Sequence, residues 1–160
     1  MNRSKIFKEL MDSVYELTYS VHEYEMIPRT YGTNDLFYMV EMHTLEIIAD
    51  NEGLTATEIV QMTNRTRGAV SQMLEKLTVK GLIERNKNPD NLREQFIRLT
   101  EKGHIVNTYH KTLDKCQYNK YLKIMSEFKD EDFITFIKIT NTLTEGTKRS
   151  IEGKPIDYIE

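Results

Sequence analysis

The stretch RTRGAVSQMLEKLTVKGLIER, Arg65 to Arg85, opens polar and cationic, settles into an apolar rhythm and passes a glycine before it turns strand-like. Thr66 is a good N-cap, its hydroxyl able to accept a free amide of the first turn. Ala69, Val70, Met73, Leu74 and Leu77 follow at helical spacing as an inward stripe, and Gly81 stands where a helix commonly ends in a left-handed residue. Arg67, Ser71, Gln72 and Lys76 lie off that stripe. The helix therefore has a polar face that a core does not need.

Its neighbours give that face a setting. Upstream, TATE (Thr55–Glu58) has the form of a capping box, and Ala56, Ile59, Val60 and Met62 supply the apolar side of a short helix. The two helices, joined at TNR, carry a helix-turn-helix signal. Downstream, LIERN and REQFIRLT read as two strands around the turn-rich KNPDN, with Pro89 kept to the hairpin tip. An earlier helix, VEMHTLEIIAD (Val40–Asp50), is closed by NEG. Helix, helix, hairpin is the order of a winged helix-turn-helix, and the fold class expected is mostly α with a two-stranded β wing.

The flanks are helical and too apolar to stand alone. Phe7, Leu10, Met11, Val14, Leu17, Thr18 and Val21 form one stripe before Pro28 and Gly32. Ile105, Tyr109, Leu113, Cys116, Ile124 and Phe128 form another, and Phe133, Phe136, Ile137, Thr140, Leu143 and Thr147 a third after KDED. A second copy with the same uncovered stripes is the economical cover. The expected organisation is an N-terminal dimerisation helix and loop at 1–33, a winged domain at 34–102, C-terminal dimerisation helices at 103–150 and a tail at 151–160.

The totals exclude several classes. At 160 residues and 39% hydrophobic, the chain has material for one domain with a core, or a small domain with helical extensions. No apolar run approaches the roughly 20 residues of a membrane span. The start, MNRSKIFKELMDSVYEL, lacks the apolar region of a secretory signal, so the cytoplasm is the expected compartment and no membrane partner is expected. Cys116 is alone, which excludes an intramolecular disulfide and a Cys-rich zinc module; it is expected as a small buried hydrophobe. Net charge is −3, yet its distribution is uneven: residues 54–100 hold eight Lys/Arg against five Asp/Glu, whereas residues 1–53 hold four against ten. The cationic excess falls on the opening stretch.

No glycine-rich phosphate loop, Gly-x-Ser-x-Gly elbow or His-Glu-x-x-His helix is present, and an enzyme is not expected. Neither a cofactor nor a metal site is expected. His22, Glu23, Glu25, Glu41, His43, Glu46, His104 and His110 are candidate donors for a metal-sensing alternative, but no two histidines stand four apart on one helix face. Tyr15, Tyr19, Phe37, Tyr38 and Tyr109 are expected in core or dimer packing rather than as the walls of a ligand box.

EMHTLEIIADNEGLTATEI, RTRGAVSQMLEKLTVKGLIER and the wing ending REQFIRLTEKG together resemble the MarR family of bacterial transcriptional regulators, closely over about residues 39–104. The resemblance implies a homodimer reading a palindromic operator in double-stranded DNA, usually as a repressor released by a small molecule. EMHT looks most like the fatty-acid-synthesis repressor branch, which implies an acylated carrier protein as corepressor; some other relatives sense zinc. A small-molecule, lipid or acyl-carrier ligand is thus open as effector. A winged-helix scaffold that reads no DNA is the other alternative. Family wings carry Asp-x-Arg where this chain has Asn91, Leu92 and Arg93, with Asp90 one place earlier.

A major groove about 12 Å wide admits one helix, whose N-terminal part meets base edges. Arg65, Thr66, Arg67, Gly68 and Ala69 form the entering turn, Gly68 permitting close backbone approach, with Ser71, Gln72 and Lys76 following on the same polar side. Arg67 suits guanine and Gln72 adenine. In the wing, Lys87 and Asn88 suit phosphates and Arg93 a narrow minor groove.

Overall fold

The computed structural model describes residues 2–51, 53–63, 65–87 and 95–155. Among them the elements run α1 (Arg3–Glu25), α2 (Met39–Asp50), α3 (Ala56–Thr63), α4 (Arg67–Val79), β1 (Ile83–Lys87), β2 (Gln95–Leu99), α5 (Glu101–Ile124) and α6 (Asp130–Ile151). The chain divides into two compact units, Met1–Asp114 and Lys115–Glu160.

In the first unit the helical stripes close on one core. Met42, Leu45 and Ile48 of α2, Ile59 of α3 and Val70, Met73, Leu74 and Leu77 of α4 meet Leu82, Ile83, Ile97 and Leu99 of the wing and Val106 of α5. Burying each such side chain contributes about 1.5–3 kcal/mol, which is what holds short helices that would not persist alone. Two expected positions differ. Ala69 is exposed, because the first turn of α4 projects past the core and the buried stripe begins at Val70. Ala56 and Met62 are exposed as well: α3 is eight residues long and offers the core Ile59, with Val60 packed beside it.

Capping fixes where these helices begin. The Glu58 amide donates to the Thr55 hydroxyl oxygen at 3.3 Å, and the Thr55 amide donates to the Glu58 carboxylate at 2.7 Å, closing the capping box read from TATE. The backbone hydrogen bond from Thr55 is the main reason the Glu58 carboxyl titrates below its ordinary value. Gly81 follows the α4 C-cap Lys80 with φ of 68°, the left-handed turn that releases the chain into β1.

The wing strands pair antiparallel, Ile83 opposite Leu99 and Lys87 opposite Gln95. The Ile97 amide donates to the Leu54 carbonyl at 2.8 Å, so the segment after α2 adds a short edge to the hairpin. Lys87, expected in the turn, is the last residue of β1, whereas residues 88–91 of the hairpin tip, with Pro89 and the Asn91 departure, and residues 156–160 lie outside the described residues. At the start of α5, a Cβ on Gly103 would strike the Leu82 carbonyl oxygen, so only glycine permits this approach of helix to wing. α5 buries Gly103, Val106, Asn107 and His110 and nothing beyond.

The outer helices differ. α1, capped by the Asn2 side chain on the Ser4 amide, buries no residue; Phe7, Leu17 and Val21 of its stripe are exposed. In the second unit α6 opens with Asp130, Glu131 and Asp132, which complement its dipole, and the Lys129 amide donates to Asp132 at 2.9 Å. It too buries no residue, and Ile134, Phe136 and Ile137 are exposed. Cys116 is exposed, contrary to the buried hydrophobe expected, because no described element covers that stretch of α5. Phe128 lies past the end of α5 rather than on its stripe. No helix among the described residues is long and apolar enough to cross a membrane.

Candidate nucleic-acid interface

α4 starts at a tight cap. Thr66 is extended, with φ of −68° and ψ of 152°, and its hydroxyl accepts the Ala69 amide at 3.2 Å. That geometry turns the remaining free amides of the first turn, and the positive end of the helix dipole, toward solvent. Arg65, Arg67, Gly68, Ala69, Ser71, Gln72 and Lys76 are all exposed there, as is Lys87 at the end of β1. A Cβ on Gly68 would meet nothing within 4 Å, so the fold itself does not require glycine at this position. Arg65, Arg67, Lys76 and Lys87 have no acidic partner among the described residues, and their charge is uncommitted. Asn88 and Arg93 lie outside the described residues.

Arg67 also lines a cleft of about 170 Å³ between α3, α4 and β1, together with Thr57, Ser71 and Arg85. Arg85 reaches Glu75 of α4 at 3.8 Å, a loose exposed pair that leaves most of its guanidinium free. Sequence reading missed Arg85, since its place beside Arg67 follows from how β1 packs against α4 rather than from any spacing. Two guanidinium groups and two hydroxyls on the same side as a helix N-terminus can hold anionic oxygens and hydrogen-bond acceptors.

A second cluster lies in the first unit. Donor atoms of Glu46 on α2 and His110 and Asp114 on α5 all lie within 4.8 Å of one another. His110 is fully buried, stacks edge-on to Tyr31 at 5.3 Å and has a hydrogen-bond partner at neither ring nitrogen. Asp114 is 3.4 Å from its Nε2 without hydrogen-bond geometry. Burial, the largest influence, lowers the His110 pKa and keeps the ring neutral, the form that ligates metals. Lys111 bonds Asp50 at 2.5 Å and stands 3.9 Å from Glu46.

Of the candidate donors read from the sequence, the fold brings Glu46 and His110 together, and the His43 ring lies 6.1 Å from that of His110. Asp114 is not among those candidates, although it stands four residues after His110 on one helix face. Tetrahedral ligation at about 2.0–2.1 Å needs donors roughly 3.3 Å apart, closer than the 4.8 Å within which these atoms lie. The donor types and the unpartnered imidazole fit such an ion.

Glu41 belongs to neither cluster: it is buried and binds Lys80. Phe37 is in the core as expected, whereas Tyr15, Tyr19, Tyr38 and Tyr109 are exposed.

Comparison with known proteins agrees with this architecture. The MarR family model matches residues 37–95, which span α2 to the start of β2. YhjH, an uncharacterized HTH-type transcriptional regulator of Bacillus subtilis, is 28% identical over 104 residues, 65% of this chain and 59% of that protein. The chain thus spans less than two thirds of that relative's length. The crystal structure of Streptococcus pneumoniae FabT in complex with DNA superposes with a TM-score of 0.65 at 23% identity, over 91% of this chain and 97% of that one. Lactococcus lactis ZitR, a zinc-responsive MarR family member, gives a TM-score of 0.63 at 22% identity, over 85% and 97%. The capped cationic helix α4 and the start of the hairpin wing both fall within the residues that the MarR family model matches, and the fold is that of a winged helix-turn-helix protein.

Proposed function

We propose that the protein is a sequence-specific DNA-binding transcriptional regulator, a ligand-responsive repressor acting as a homodimer on a palindromic operator. The observation that carries this reading is α4 itself, whose buried stripe is fully used by the core while its opposite face presents Arg67, Ser71, Gln72 and Lys76 without partners. Arg65 to Ala69 enter the major groove; Gln72 and Arg67 read base edges; Arg85, Lys87 and Asn88 hold phosphates, and Arg93 takes the minor groove. The uncovered stripes of α1 and α6 support the second copy. The test is fluorescence anisotropy with a duplex taken from upstream of the protein's own gene. With about 6–10 phosphate contacts, affinity falls roughly 10³–10⁵-fold between 50 and 200 mM salt. A scaffold that reads no DNA gives no binding at either concentration.

The Glu46, His110 and Asp114 cluster favours one specific form of ligand response, the sensing of a divalent transition metal such as zinc, as ZitR is described to do. Zinc ions titrated into chelator-treated protein then change operator affinity at least tenfold, and His110→Ala removes the change without altering the metal-free affinity. An operator affinity indifferent to zinc, copper and nickel ions returns the effector to the organic ligands.

A further inference from the structure

α4 is held very unequally at its two ends. At its exposed N-terminal turn the hydrogen bonds are its own cap and helix ladder. At its C-terminal end Lys80, the C-cap residue, sends its side chain across to α2. The Lys80 ammonium donates to Glu41 Oε1 at 2.7 Å and to the Leu36 carbonyl at 2.9 Å, and stands 4.9 Å from the centre of the buried Phe37 ring. Glu41 is 2% exposed, and its other carboxylate oxygen accepts the Tyr38 amide at 2.8 Å. Both oxygens of a buried anion are therefore committed, one to the start of its own helix and one to the end of α4. The Lys80 carbonyl in turn accepts Lys102 at 2.7 Å, and Lys102 pairs with Asp35 at 2.8 Å. Side chain and main chain of one residue thus tie the end of α4 to α2, to the first turn of α5 and to the segment 35–38.

We infer that Lys80 and Glu41 are positioning residues that set the angle at which α4 presents its reading face, an inference that rests on the DNA-binding function proposed above. The apolar stripe of α4 holds it against the core but is non-directional, and side chains of that kind tolerate small rolls and tilts. A buried, charge-assisted hydrogen bond is directional. The leverage is large: the thirteen residue steps from Lys80 to Arg67 span about 20 Å at 1.5 Å per step, so a tilt of roughly 5° at the pinned end moves the reading end by nearly 2 Å. Hydrogen bonds to base edges fail over a displacement of that size, since good donor–acceptor distances cover only about 0.5 Å. Attraction to the phosphates barely changes, because it falls off over a Debye length of about 8–10 Å. Loss of the pin should therefore erase sequence preference before it erases DNA affinity.

Simple charge effects predict the opposite sign at Glu41, which makes the test decisive. The full-length protein is first used to select a duplex from a random-sequence pool. Affinity for that duplex and for a scrambled duplex of equal length is then measured per mole of DNA-active dimer for wild type, Glu41→Gln, Lys80→Met and the double variant. Removing a negative charge at Glu41 would by itself tighten binding to any DNA. The expected result is that Glu41→Gln loses tenfold or more on the selected duplex and changes less than threefold on the scrambled one. Its salt slope should stay unaltered, and Lys80→Met should behave alike.

The double variant should be no worse than the poorer single, since each single alone abolishes the same contact. Equal losses on both duplexes, additive effects of the two substitutions, or tighter specific binding by Glu41→Gln would overturn the inference. If Glu41→Gln does not fold, Lys80→Met, whose side chain is 27% exposed, supplies the ratio alone. A wild-type protein that selects no sequence overturns the DNA-reading function itself, and that outcome is seen before any variant is measured.

Discussion

α4 and α6 are both amphipathic helices with a face left in solvent, and the two faces differ in kind. α4 buries Val70, Met73, Leu74 and Leu77 within its own chain and leaves out arginine, serine, glutamine and lysine. α6, with 22 residues, buries none and leaves out Ile134, Phe136 and Ile137. The chemistry of an uncovered face names the class of partner it needs. A cationic, hydrogen-bonding face loses little in water and gains beside phosphates and base edges, whereas an apolar face loses roughly 25 cal/mol for each Å² left wet. On the function proposed above, one chain carries two unfinished surfaces, one for nucleic acid and one for protein.

The comparison breaks most visibly at α6. Phe136→Glu combined with Ile137→Glu puts two charges on the face assigned to a second copy, and sedimentation should change from about twice the 18.9 kDa chain mass to the single-chain mass, with loss of specific DNA binding. A dimer that survives both charges would remove the protein partner from that face. Within the covered stripe, Leu77→Ala opens a cavity at a fully buried site and should cost about 2–5 kcal/mol in urea unfolding.

On the opposite face of the same helix, Arg67→Ala or Gln72→Ala should leave unfolding within about 0.5 kcal/mol of wild type and cost about 1–3 kcal/mol on the cognate duplex, relaxing preference at particular base pairs. If both variants instead weakened every duplex equally, the two residues would be phosphate contacts. The smallest effect is expected at the wing: Arg93→Ala should make the slope of log affinity against log salt shallower by up to about one while base preferences in the major groove persist. Asn91→Asp, which restores the family's acid beside Arg93, should bind equally or more tightly. Weaker binding by Asn91→Asp together with no effect of Arg93→Ala would make the hairpin tip an ordinary solvated turn.

How far the sequence foretold this depended on the range of the interactions. Local signals carried well: TATE forms its capping box, Thr66 caps α4, Gly81 turns with positive φ, β2 falls within REQFIRLT, and β1 follows LIERN but runs one residue further, to Lys87. Such features are decided by residues three or four apart. Failures came where burial depends on what packs overhead. Ala69 has the right spacing for the stripe but sits in a turn that projects beyond the core, and Cys116 is apolar enough to bury on a helix that no described element covers there. The sites divide in the same way. The polar positions of α4 follow from its periodicity, while the approach of Arg85 to Arg67 and the reach of Lys80 to Glu41 join residues brought close only by the tertiary fold. Asp114 is legible in the sequence, since it stands four residues from His110 on the same helix face.

The most direct test of the two-surface account is to let the protein choose its DNA from a pool of random duplexes and to sequence what it retains. Two copies joined through their apolar helices, each offering α4 to a major groove, should enrich an inverted repeat whose half-site centres are about 10–10.5 base pairs apart, the spacing of one helical turn. Moving the half-sites apart by five base pairs should then abolish tight binding, because the second α4 faces the wrong side of the duplex. Enrichment of a single unrepeated site, or binding indifferent to half-site spacing, would contradict the account.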